Sequence, residues 1–170
     1  GCPRPIIPQP LYNMVNRQVE ADLLPACEYY GIGVTPYSAL ARGVLTGKYA
    51  FGKDAPSNSR AGRGDPSILS RDFQKESFQV VEKIKKYIAK RNMTPSDFAV
   101  NWLLNNQLVT SVIGGPRTMG HWRASVNAIK HDFTAEDEAF VNTLVAPGHP
   151  ATPGHTWGRY PVQGRRAING

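Results

Sequence analysis

The alternation of strand-like and helix-like stretches constrains this chain more than any other feature. Residues 6–9, 32–37 and 109–113 are short and apolar-rich, and each leads on into a segment with helical spacing of its apolar side chains. The first of these helical segments carries Val19, Leu23, Leu24 and Cys27 on one face before Gly31, with a kink expected at Pro25. Repeated β-then-α order predicts parallel strands, since each return path is taken up by a helix. Three parallel strands cannot close a barrel, and such sheets are normally covered on both faces. The pattern therefore asks for strands that it does not contain.

Length agrees with this reading. The 170 residues suffice for one core but fall short of the roughly 200 to 250 residues of a complete (β/α)8, or TIM-type, barrel. The first residue is Gly1, and the opening has neither the basic start nor the apolar core of a signal peptide, so the frame is expected to continue upstream. No apolar run approaches the roughly 18 to 20 residues that cross a bilayer, which leaves no membrane partner. Cys2 and Cys27 have neither a paired spacing nor a histidine at metal-ligand distance. That disfavours a disulfide scaffold or a zinc module and points to a reducing cytoplasm. A formal charge of +7 admits any phosphate-bearing partner, and only the placement of the cations can choose among them.

Two loops follow strand ends directly. Residues 32–37 run into Ser38, Ala39, Leu40, Ala41, Arg42 and Gly43, and residues 109–113 run into Gly114, Gly115, Pro116, Arg117 and Thr118. Between them, residues 50–70 lack apolar periodicity and predict a long surface excursion. Phe78, Val81, Ile84 and Ile88 mark an amphipathic helix with lysines on its other face. Thr94 and Pro95 open a second helix, Met119 to Ile129 read as a third, and Thr134 caps a last one that Pro147 and Gly148 should stop. Residues 146–170 read as an irregular tail.

The run from Tyr37 to Tyr49, YSALARGVLTGKY, closely resembles the aldo-keto reductase segment at the end of the seventh barrel strand. Gln9, Pro10, Leu11, Tyr12 and Asn13 are similar to the end of the family's sixth strand, and the stretch from Val112 to Thr118 to its eighth-strand phosphate loop. The resemblance implies an α/β fold comprising strands six to eight of a TIM-type barrel with their helices, over residues 1–145. It also implies an NADPH-dependent oxidoreductase that passes hydride to an aldehyde or ketone. The family's catalytic Asp, Tyr, Lys and His lie on the first four strands, so the partner implied is a missing N-terminal half and no catalytic residue is assigned here.

The same resemblance distributes roles along the chain. Gln9 would pair with the nicotinamide carboxamide and Tyr37 would stack beneath the ring, against the plain alternatives of a polar strand end and ordinary packing. Ser38 and the backbone of residues 40–45, including Leu40, Gly43 and Leu45, would line the pyrophosphate. Lys48 or Arg42 would supply charge there, and Arg60 would reach over from the long loop. Gly115 would let the second loop approach closely, while Arg117 would meet the adenosine 2′-phosphate, whose geometry suits a guanidinium fork. Thr118 offers either a hydroxyl to the phosphate or a helix cap. His121 is either an adenosine contact or an inert surface histidine, and with Ala124 and Ser125 it departs from the family's adenosine partners.

Three other readings stand beside this one. A helix-turn-helix over residues 78–105 lacks cations on its second helix, which argues against nucleic acid. His149 and His155 have no third ligand nearby, which argues against a metal. A catalytically inactive half-barrel that binds cofactor or another protein remains the alternative to an enzyme.

Overall fold

The computed structural model describes residues 2–154. His155, Trp157 and Tyr160 of the tail lie outside the described residues. The three expected strands are present as extended segments that run side by side in one direction. Thr35 and Tyr37 donate their amides to the carbonyls of Pro8 and Pro10, at 3.1 and 3.0 Å. On the other side, Thr110 and Ile113 donate to Val34 and Pro36, at 2.9 and 3.0 Å. The middle segment is thus bonded on both flanks, and the bridges Leu11 to Tyr37 and Val34 to Val109 are both parallel.

Among the described residues these bonds do not build up into continuous strands, contrary to the sequence expectation. The reason is chemical. Pro8, Pro10 and Pro36 have no amide hydrogen to contribute to a ladder. Between Thr110 and Ile113 the third segment advances three residues while the second advances two, from Val34 to Pro36, so the register slips as at a bulge. The Val34 amide meanwhile turns to the Thr110 hydroxyl, at 3.2 Å.

The first helix, α1 (Leu23–Tyr30), begins later than its apolar spacing suggests. Residues Gln18–Glu20 form a separate 3-10 turn, and Asp22 caps α1 through the Leu23 amide. Pro25 therefore falls in the first turn, where its missing N–H breaks no helical bond, so the expected kink has no cause. The excursion between residues 50 and 70 is less irregular than predicted. It contains α2 (Pro66–Arg71), capped by the Asp65 carboxylate on the Ser67 amide, and it buries Ile68, Ser59 and Ala61. A Cβ added to Gly62 would lie 2.1 Å from the Pro56 carbonyl oxygen, so only glycine lets this loop fold back on itself so tightly.

Helix α3 (Lys75–Tyr87) turns Phe78, Val81 and Ile84 inward as its periodicity predicts. Helix α4 (Pro95–Leu104) starts with a reciprocal capping box between Thr94 and Asp97, and α6 (Ala135–Leu144) with one between Thr134 and Asp137. Between them lies α5 (Met119–Asn127), which has no buried residue. The core gathers Val34, Leu45, Ile84, Phe98, Leu103 and Val141.

The start of the tail is anchored. Arg17 and Ala151 donate backbone bonds to His149 and Val15, and the buried Arg17 side chain reaches Asn142 and the Val145 carbonyl. Apolar side chains stay exposed at both outer segments and on and just after α5, with Ile6 81%, Trp122 52% and Ile129 66% accessible. No helix among the described residues is long and apolar enough to cross a membrane.

Candidate functional site

Because the three segments run parallel, their carboxyl ends lie along one rim. Gln9, the loop from Tyr37 and the loop from Gly114 all leave from that rim. Gln9 is exposed and Tyr37 is half-buried, so both side chains are accessible there.

The Tyr37 loop departs from a plain glycine turn. Ser38, Ala41 and Arg42 hold φ values of 59°, 45° and 50°, a left-handed region that side-chain-bearing residues enter at a cost of roughly 1 to 3 kcal/mol each. They are followed by Gly43 at 102°. Short-range bonds hold this shape: Ala41 N–H to Ser38 O at 2.8 Å, Gly43 N–H to Leu40 O at 2.7 Å, and the Thr46 hydroxyl to Gly43 O at 2.7 Å. A long-range bond joins them, from the Asn13 side-chain amide to the Ser38 carbonyl at 3.0 Å.

Coiling the loop in this way frees a set of donors. The amides of Ser38, Ala39 and Leu40 meet no acceptor among the described residues. Successive unpaired amides beside left-handed residues form the kind of concavity that receives an anion. Lys48 is exposed, with its ammonium 5.0 Å from the Tyr49 ring centroid, and a Cβ on Gly43 would come within 3.2 Å of that ammonium. The bare α-carbon of Gly43 therefore leaves room for the Lys48 charge beside the loop.

Two of the residues expected in this loop stand differently. Arg42 donates to the Asp72 carboxylate at 2.7 Å, with the two side chains only 12% and 8% exposed, so its charge is already engaged. Leu45 is fully buried, which leaves only its backbone to face a ligand. Asp72 follows α2 directly, and neither it nor Asn13 stands out in the sequence. The pattern Y-N beyond a strand end gave the only available hint of Asn13.

The second loop is open. Residues 114–118 are exposed, and a Cβ on Gly115 would meet nothing within 4 Å. Arg117 has no partner among the described residues. Thr118 does cap α5, its hydroxyl accepting the His121 amide at 3.1 Å, and its own O–H remains available to donate. The His121 ring and the Ala124 methyl are exposed, and the Ser125 hydroxyl turns back to the His121 carbonyl. Arg60 is exposed, and its carbonyl accepts the Asp65 amide. The Ser67 hydroxyl and amide, aided by the charges of Arg60 and Arg42, hold the Asp65 carboxyl below the usual carboxylate range.

The sequence model of the aldo/keto reductase family matches residues 2–145. The chain belongs to the aldo/keto reductase family. Its fold is accordingly of the TIM-barrel class. It superposes on the solved glycerol dehydrogenase AKR11B4 from Gluconobacter oxydans with a TM-score of 0.66 at 28% identity, covering 86% of this chain and 45% of that one. Among curated aldo/keto reductase relatives, it is 37% identical over 113 residues to a probable voltage-gated potassium channel subunit beta from Oryza sativa subsp. japonica, covering 65% of this chain and 34% of the relative. It is 28% identical over 146 residues to L-glyceraldehyde 3-phosphate reductase from Escherichia coli O157:H7, covering 84% of this chain and 42% of the relative. The chain thus spans well under half the length of these proteins.

Proposed function

We propose that this chain is the C-terminal part of an aldo/keto reductase barrel, strands six to eight with their helices. In this reading it supplies the NADPH-binding loops of an oxidoreductase that reduces an aldehyde or ketone. The observation that carries the proposal is the run of unpaired amides at Ser38, Ala39 and Leu40, in a loop whose Gly43 lies next to the Lys48 ammonium. Donors of this kind fit a pyrophosphate, and the exposed Arg117 on the same rim fits a further phosphate group. Bound NADPH would supply the hydride.

The chain's own residues would hold and orient the cofactor. Gln9 would fix the carboxamide and hence the ring face presented, and Tyr37 would offer a flat support beneath the ring. Arg60 would approach from the long loop. Arg42 would act mainly through Asp72, keeping the loop in place. His121 would contribute at most one bond to the adenosine end, where Ala124 and Ser125 provide little. The acid and base of the reaction would come from the N-terminal half, outside this chain, and the residues after 145 would lie toward the substrate. Two free cysteines, Cys2 exposed and Cys27 buried, support a reducing cytoplasm as the setting.

The cofactor role is tested by fluorescence titration with NADPH and NADH. Arg117→Ala should weaken NADPH by about 10- to 150-fold, the equivalent of one charge-assisted bond, and leave NADH nearly unchanged. Equal losses for the two cofactors would remove Arg117 from the phosphate role.

A further inference from the structure

The bond from Asn13 to Ser38 stands apart from the other contacts of the loop. Asn13 is 1% exposed and lies beyond the first extended segment, whereas Ser38 lies beyond the second. Its side chain serves both loops at once. The Oδ1 atom accepts the amides of Val15 and Asn16, each at 3.1 Å, which closes the turn that Asn13 itself begins. The Nδ2 group donates to the Ser38 carbonyl at 3.0 Å. That same carbonyl also accepts the Ala41 amide at 2.8 Å, so both lone pairs are used.

Ser38 opens the run of left-handed residues, and rotating its carbonyl away would release both bonds together. The φ values of 59°, 45° and 50° at Ser38, Ala41 and Arg42 persist only where surrounding contacts over-determine them. Among the described residues the other bonds of residues 38–47, apart from Arg42 to Asp72, arise within the loop itself. Asn13 thus joins the turn of one barrel segment to the anion-receiving backbone of the next.

We infer that Asn13 is a positioning residue for the phosphate cradle: its side-chain amide fixes the Ser38 carbonyl and so aims the amides of residues 38–40. This rests on the cofactor reading given above. It requires the donor function of Asn13 separately from its acceptor function, and two substitutions divide them. Asn13→Asp keeps both acceptor bonds and loses the donor when ionised, yet regains an O–H donor when protonated. Asn13→Ser keeps a short acceptor for the turn, brings in no charge, and is too short to reach Ser38.

The test combines NADP⁺ binding by calorimetry with backbone carbon shifts at Ser38, Ala41 and Arg42, in the wild type and both variants, from pH 8 downward. Asn13→Ser should weaken NADP⁺ by about tenfold at every pH, the equivalent of one net hydrogen bond. Asn13→Asp should show at least that loss at pH 8. Two accepted amides favour the ionised form, so recovery toward wild type at the same pH is expected only where the side-chain carbon shift shows the introduced carboxyl to be protonated. A merely structural role would give no recovery that follows this protonation. The three carbon shifts should leave the left-handed range in Asn13→Ser. Unchanged shifts and affinity in Asn13→Ser, or an undiminished loss in Asn13→Asp once its carboxyl is protonated, would overturn the inference. If the wild type bound no NADP⁺, the cofactor reading would fail by itself. The shifts in Asn13→Ser would then decide alone whether Asn13 sets the loop.

Discussion

At the scale of single residues, Asp137 and Arg91 show how a side chain acquires a role that its sequence position does not reveal. The Asp137 carboxylate is buried at the start of α6, which by itself would raise its pKa. The Arg91 guanidinium, the Thr134 amide and the Tyr87 hydroxyl all bond to it and hold it below the usual carboxylate range. A depressed folded-state pKa stabilises the protein at pH values above the unfolded carboxylate range, and that contribution is lost as pH falls through the folded value. Asp137→Asn should therefore unfold more easily at pH 7, by about 3 kcal/mol as for a broken buried pair. The gap from wild type should begin to narrow on acidification below about pH 4, as the unfolded carboxyl takes up its proton, and should close only once pH falls through the depressed folded value. Urea melts across pH would show this, and a gap independent of pH would contradict it. The sequence did reveal Thr134 as a cap and the acidic first turn that follows it. Arg91, 46 residues away, was beyond local reading.

Elements show the same division between local and distant causes. Helices α3, α4 and α6 were legible because their caps and apolar spacing are local properties. The loop after Tyr37 was legible as a binding loop from its resemblance, but its left-handed residues and its hold on Asn13 were not. Strand patterning misled for a physical reason, since prolines and the slip between Val34 and Thr110 break a ladder that the apolar runs suggest. Helix α2 was hidden inside a polar loop, where Asp65 and Pro66 were its only local signals. Its tie to the cradle, Arg42 to Asp72, predicts that Arg42→Ala and Asp72→Ala each destabilise the protein. The double variant should lose less than the sum, with a coupling of about 1 to 3 kcal/mol in thermal or denaturant melts. Additive losses would mean that the pair does not hold α2 against the loop.

For the molecule as a whole, the accessible apolar side chains are the informative feature. Ile6 and Ile113 lie on the outer segments, and Met119, Trp122 and Ile129 lie on and just after α5. Parallel segments are normally covered on both sides by further elements. The family match covers residues 2–145, and the chain spans 34 to 45% of the lengths of the relatives described above. In the proposed function this chain brings the cofactor loops to a reaction whose acid and base reside elsewhere. The most direct test is to mix the chain with a separately made N-terminal half and follow NADPH absorbance against a panel of aldehydes. Carbonyl-dependent oxidation should appear, saturate with the added half and be absent from either half alone. Association of the halves with no turnover on any aldehyde would contradict it.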